Sequence, residues 1–262
     1  MIELERRGRR PLLIGHRGAA ALARENTLQS FRAAVEAGVD LVEFDVLELQ
    51  DGELVVAHSY DLQEVGSGTL SGTFRDWPLE RLRGACPEVP TLDETLAFFT
   101  DEAPHVGVHV DLKIRGREHD LVAALRRFGV GGRSFISSFD PRATRSLARL
   151  DSEIRTGITV PRSVLGISDD GRSAWIARAG LAVLRLVLPR LARHVISLSR
   201  ASALVLHHSA VGPSLVRRAH QCGVPVVTWT VDDPAELARV DAAGVDAVVT
   251  NDPRIFASTL ET

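Results

Sequence analysis

Short apolar runs alternate with amphipathic stretches along this whole chain, and that alternation limits the possible folds more than any single residue does. The runs fall at residues 12–15, 41–46, 106–112, 134–137, 153–158, 203–206, 224–229 and 247–250. Amphipathic segments at 28–37, 92–99, 120–128, 141–150, 213–221 and 234–243 lie between them. Asp140-Pro141, Gly212-Pro213 and Asp233-Pro234 put proline at helix starts, and Gly223 and Gly244 fall where helices should stop. Strand–helix alternation implies a parallel sheet, so the fold class is α/β. Eight such units in 262 residues predict a (β/α)8 TIM barrel occupying 1–262 as a single domain. The competing open sheet would place a glycine-rich nucleotide loop after the first run, and none is present. Residues 59–90 break the rhythm with Gly66-Ser67-Gly68, Ser71-Gly72-Thr73 and a short helical signal at 78–83. We read them as a small insertion after the second strand that caps the site.

Within the second run, Leu41-Val42-Glu43-Phe44-Asp45-Val46, two acids stand two apart with no neighbouring base. Residues i and i+2 of a strand share a face, so both carboxylates enter one space. Burying two unpaired negative charges is costly, and a divalent cation with oxygen ligands would offset that cost. Two solvent-facing acids on a half-exposed strand are the plainer alternative. The first run ends in Gly15-His16-Arg17-Gly18, Glu25-Asn26-Thr27 opens the next helix, and His58 closes 53–57. His16 and His58 can exchange protons near neutral pH, and Arg17 offers a planar fork of donors for an anion. The third run presents His109, Asp111 and Lys113 on one face. Asp111 is a candidate third carboxylate and Lys113 a second cation for the substrate, or the two form a structural ion pair. These positions all fall toward the carboxyl ends of strands, where barrel active sites lie. Together they form an inventory for phosphoryl transfer.

A net charge of −3 supplies no basic field for nucleic acid. Cys86 and Cys222 are far apart and without metal spacing, and 1–7 lacks the apolar core of a signal peptide. We expect a cytoplasmic protein. Residues 174–192 are apolar, but Arg178, Arg185, Arg190 and Pro189 keep them short of a membrane span. A packed outer helix with outward arginines is favoured over peripheral contact with a membrane surface.

The chain resembles the glycerophosphodiester phosphodiesterase family. The likeness rests on Gly15-His16-Arg17-Gly18, Glu25-Asn26-Thr27, Glu43-Phe44-Asp45, Val55-Val56-Ala57-His58, Asp111-Leu112-Lys113, Trp229-Thr230-Val231 and the stretch from Gly244 to Thr250, in family order. It implies a TIM-barrel hydrolase that cleaves glycerophosphodiesters to glycerol 3-phosphate and an alcohol through a cyclic phosphate, within glycerol and lipid metabolism. It implies one divalent metal, Mg2+ or Ca2+ with Mn2+ as a further candidate. By the resemblance His16 and His58 are the acid–base pair, and Glu43, Asp45 and Asp111 the metal ligands. Arg17 and Lys113 contact phosphate, Trp229 walls the pocket, and Glu25 and Asn26 orient the catalytic groups.

Three positions depart from the family pattern. Arg24 replaces a proline, a change expected to loosen its loop. Asp111 replaces a glutamate and, being shorter, is a candidate for ligation through water. Ser59 replaces the aspartate that usually follows the second histidine, which reopens the question of what orients that ring. His207 or His208 is a candidate for the pocket wall, His109 is expected to pack inside the barrel, and Asp246 has either a structural or a functional role. His105, His119, His194 and His220 are expected at the surface. The rival readings are a lysophospholipase D or sphingomyelinase D-like activity on lipids and a non-catalytic metal- or phosphate-binding barrel. Head group, metal and oligomeric state are open in the sequence.

Overall fold

Each apolar run becomes a strand because its alternate residues have somewhere apolar to go on both sides of the sheet. In the computed structural model, residues 2–6, 8, 10–66, 70–160 and 174–260 are described, together with the side chains of 185 and 187–260 in the last stretch. The barrel strands are β1 (Leu12–Gly15), β2 (Leu41–Glu48), β4 (Gly107–Leu112), β5 (Ser134–Ser138), β6 (Arg155–Val160), β7 (Ala203–His207), β8 (Val226–Trp229) and β9 (Ala247–Thr250), with the short β3 (Leu54–Val56) outside the ring. All neighbours in the ring are parallel, and β1 pairs with both β9 and β2, so the eight strands close. Val42, Phe44 and Val46 of β2 face the apolar layer under the helices. Leu41 turns the other way, into a cluster with Leu12, Ile14, Phe135, Val227 and Val249. Burying a side chain of this size is worth about 1.5–3 kcal/mol.

Helices α1 (Leu28–Glu36), α4 (Leu92–Asp101), α5 (Glu118–Arg127), α6 (Pro141–Leu150), α7 (Ala174–Ser199), α8 (Pro213–His220) and α9 (Pro234–Ala242) return the chain between strands, and α10 (Ile255–Leu260) follows β9. Asp140 and Asp233 cap α6 and α9, each ahead of a proline. Several boundaries differ from the sequence reading, most by one or two residues, and three differences have a visible cause. Asp151 accepts the Glu153 N–H in a turn at 2.9 Å, so β6 starts two residues late. Pro225 has no N–H for the ladder, and β8 starts after it. Helix α7 continues through Pro189 although an interior proline costs about 3 kcal/mol; the burial of Leu188 and Ala192 on either side works against that cost. Among the described residues no helix is long and apolar enough to cross a membrane. The side chains of 174–184 and 186, most of the segment considered for membrane contact, lie outside the described residues.

The insertion leaves through β3, which turns back antiparallel on β2, a strand the eight-run reading did not include. It carries α2 (Leu62–Val65) and α3 (Leu79–Ala85), and Ser67, Gly68 and Thr69 lie outside the described residues. Val55, Leu62, Phe74, Leu82 and Val89 give it an apolar cluster of its own. Its two ends meet: Val56 N donates to Pro90 O at 2.9 Å, and Val55 bridges Thr91.

Candidate active site

Register places the acids. Across β2, β4 and β5, Asp45 pairs with Asp111 and Asp111 with Ser137; one step down lie Glu43, His109 and Phe135. Odd positions of these strands face the barrel interior, so the same alternation that buries Phe44 outward turns Glu43 and Asp45 inward. One carboxylate oxygen from each of Glu43, Asp45 and Asp111 lies within 4.8 Å of the others, and all three residues are buried. These side chains line a cavity of about 110 Å³ shared with His16, Arg17, His58 and Trp229.

The acids differ in charge state for physical reasons. Burial pushes Asp45 up, but Lys113, Arg17 and the Asn26 side chain outweigh it and hold the carboxyl at about 2. Burial and the neighbouring Asp45 and Asp111 push Glu43 well above the ordinary range. Asp111 is also raised, by burial and Asp45, against the pull of Lys113. The absence of a nearby base in the sequence therefore does not carry over to the fold. Lys113 Nζ stands 2.9 Å from Asp45 and also pairs with Asp111, and Arg17 Nε lies 3.3 Å from Asp45. The ion pair considered between Asp111 and Lys113 is formed, and it extends to Asp45.

The first motif is built by close backbone approach. A Cβ on Gly15 would strike the Gly18 carbonyl, and one on Gly18, at φ +89°, would strike Ser30. Arg17 sits at φ +49°, which aims its N–H at Glu43 Oε2, 2.8 Å away. Glu25 holds Arg17 Nη1 with both oxygens at 2.8 Å. Asn26, at φ +55°, clamps Asp45 twice: its amide donates to the carboxylate at 3.0 Å and its carbonyl accepts the Asp45 N–H at 3.2 Å.

His16 Nδ1 lies 2.7 Å from Asn251 Oδ1. The Asn251 amide is itself oriented, because its Nδ2 donates to Asp232 at 2.6 Å and its backbone N–H to the other oxygen at 2.7 Å. The ring must therefore donate from Nδ1, leaving Nε2 as an acceptor. Burial, then Arg17, lowers the His16 pKa to about 4. His58 lines the same cavity from the insertion side, with Nδ1 3.2 Å from Glu64 Oε2.

Other residues take supporting places. Ser137 donates to Asp111 at 2.9 Å and so accepts from His109 Nε2, also 2.9 Å away. His109 is buried as expected, but it also lines the cavity. The Trp229 indole N–H is buried without a partner among the described residues, on the cavity wall. His207 packs edge-on against Trp229 at 5.2 Å between ring centres, and His208 pairs with Glu236 away from the wall. Asp246 is structural: it accepts from Val226 N–H and His220. Arg24 does not loosen its loop; it pairs with Glu88 and the Gly66 carbonyl, tying the loop to the insertion. Asn251, Asp232 and Glu64 were not selected from the sequence. Asn251 directly follows the Gly244–Thr250 stretch, which was its one visible signal, whereas Glu64 had none.

A sequence profile of the Glycerophosphoryl diester phosphodiesterase family matches residues 16–255. A glycerophosphodiester phosphodiesterase of Caldanaerobacter subterraneus is 27% identical over 256 residues, covering 92% of this chain and 94% of that protein. A phosphodiesterase of Oleispira antarctica, solved in complex with the product sn-glycerol-3-phosphate, has a similar fold: TM-score 0.75, 24% identity, 96% of this chain and 97% of that one. A glycerophosphodiester phosphodiesterase of Agrobacterium tumefaciens superposes with a TM-score of 0.72 at 23% identity, covering 95% of this chain and all of that one (100%).

Proposed function

This chain belongs to the glycerophosphoryl diester phosphodiesterase family, and from that premise we propose that it hydrolyses glycerophosphodiesters to glycerol 3-phosphate and an alcohol, using one divalent cation. The observation that carries the reading is one cavity in which two of the three lining histidines, His16 and His58, each set Nδ1 against an oxygen acceptor, around three buried carboxylates. We propose the whole chain as one catalytic domain, with 59–90 as its cap.

The donor set fits a hard cation. Three carboxylates within reach of one point, two of them with raised pKa values, form a site of concentrated negative charge and oxygen ligands. Glu43, Asp45 and Asp111 would hold Mg2+, Ca2+ or Mn2+, which when bound supplies Lewis-acid polarisation of the phosphate and a template for the glycerol oxygens. Arg17 keeps Nη2 without a bond among the described residues, so it can grip a phosphate oxygen while Glu25 holds Nη1. Lys113 adds a second positive charge. Trp229 offers its unpartnered N–H and its ring as a substrate wall.

We assign His16 as the base: burial favours its neutral ring, and its Nδ1–H is committed to Asn251, which leaves Nε2 to accept a proton. Its Nε2 takes the proton of the glycerol 2-hydroxyl as that oxygen attacks phosphorus. His58 gives a proton to the departing alcohol oxygen. Water then opens the cyclic phosphate with the two roles exchanged. Each transfer is worth roughly 10²–10⁴ in rate.

The test is glycerol 3-phosphate release from a panel of glycerophosphodiesters by metal-stripped protein, with each cation added back. We expect cation-dependent release that His16→Ala lowers by about 10²–10⁴ without lowering the melting temperature. Release without any cation, or a fully active His16→Ala, would refute the assignment. A second reading, lysophospholipid as substrate, is favoured by Val187, Leu191 and Leu198, partly exposed along α7 at helical spacing, where a membrane surface could be met. Activity on lysophospholipid micelles alone would select it. The two free cysteines support a reducing compartment such as the cytoplasm.

A further inference from the structure

His58 is held from outside the barrel. Its Nδ1 lies 3.2 Å from Glu64 Oε2, and the Ser59 hydroxyl donates to that same oxygen at 2.7 Å. Ser59 Oγ also accepts the Asp61 N–H at 3.1 Å, and Asp61 caps α2 by accepting the Gln63 N–H at 2.9 Å. The turn that carries Glu64 is thus locked to the two residues that precede it. The bond from Ser59 holds the Glu64 carboxyl below the usual range, and an ionised carboxylate only accepts. Asp45, Arg17 and Lys113 line the cavity with His58, but none is bonded to its Nδ1.

We propose that Glu64 is the positioning residue of His58: by accepting the Nδ1–H it selects the tautomer whose Nε2 exchanges protons with substrate, and Ser59 aims Glu64. The inference rests on the hydrolytic reading above and extends it, because it makes the first turn of the insertion a working part of the site. Ser59 then takes up orientation at one remove, through Glu64, rather than leaving the ring unsupported.

The test is a double-mutant cycle of His58→Ala and Glu64→Ala, read as turnover of a glycerophosphodiester at saturating cation. Glu64→Ala should lower kcat roughly tenfold with KM little changed, the scale usual for such supporting partners. Glu64→Gln, which keeps an acceptor oxygen, should restore most of that loss. In the His58→Ala background Glu64→Ala should cost nothing further, since no ring is left to orient. Losses that multiply, or a glutamine variant no better than alanine, would overturn the proposal. The ring also reports without turnover. In the neutral state, 15N shifts of His58 should show Nδ1–H in the wild type and move toward the Nε2–H form in Glu64→Ala. An unchanged tautomer overturns the proposal even in an active enzyme. A tautomer change in a protein that hydrolyses no diester would sustain it while refuting the proposed reaction.

Discussion

His16 and His58, which line the same cavity, are oriented by the same device made from different parts of the molecule. His16 leans on Asn251, and Asn251 on Asp232; both supports sit on the loops that leave β8 and β9, just past the carboxyl ends of the ring's strands. His58 leans on Glu64, and Glu64 receives Ser59, all on a half-exposed turn outside the ring. The barrel side draws its rigidity from strand closure that would exist without any active site. The insertion side draws it from three local side-chain bonds. The barrel uses a neutral amide acceptor where the ring is partly buried beside the acids, and the insertion uses an ionised carboxylate where water can share the charge. That arrangement avoids a second uncompensated charge next to the buried acids.

The contrast can be broken most sharply at Asn251. Asn251→Ala should cost about 100-fold in kcat, more than Glu64→Ala, because it removes the ring's acceptor and also the side-chain donor to Asp232 Oδ2. Equal losses at the two anchors in steady-state assays would show that closure of the ring adds nothing. The next effect is on stability. His16 has a folded pKa of about 4 against 6.5, so its ring stays neutral in the fold while the unfolded chain takes up a proton. Its contribution is complete above pH 6.5 and is lost as pH falls toward 4, by roughly 1 kcal/mol per pH unit. Urea midpoints on either side of pH 6.5 should show a flatter acid slope in His16→Asn than in wild type; parallel slopes would contradict the burial assigned to the ring. The smallest effect is at Arg24. Arg24→Ala releases the barrel loop from Glu88 and Gly66, and should raise amide exchange across 59–66 while lowering kcat about threefold. Exchange unchanged in that turn would mean the insertion holds its place unaided.

The eight-strand barrel was legible from eight apolar runs alternating with amphipathic stretches, and in the second run Glu43 and Asp45 alternate with Val42, Phe44 and Val46, a pattern that a strand sorts onto opposite faces. Within the cavity, Glu43, Asp45, His109 and Asp111 were legible for the same reason, being pinned by strand parity; His16, Arg17 and His58 lie past strand ends, and Phe139, Thr159, Val205 and Val249 were not selected. What supports the site was not legible. Asn251 reaches His16 across 235 positions, and no local pattern predicts that distance. The Asp111–Lys113 ion pair was one of two readings open along the chain, but the reach of Lys113 to Asp45 depends on strand register. Glu64 was hidden differently: it lies only six residues from His58, yet its role depends on a turn whose geometry is set by Ser59 and Asp61.

The meeting of the insertion's ends has its own consequence. Because Val55 and Val56 already touch Thr91 and Pro90, the intervening chain starts and finishes at one place. Exchanging it would not stretch or compress any closure in the barrel, since the entropy of joining its ends depends only weakly on its length. The segment behaves as a cassette: a transplanted version could bring different walls for a different leaving alcohol and leave the acids, Arg17 and His16 untouched. On the role proposed for Glu64, a transplant would have to bring its own acceptor for His58, so a change of walls and the rebuilding of that one bond would have to go together.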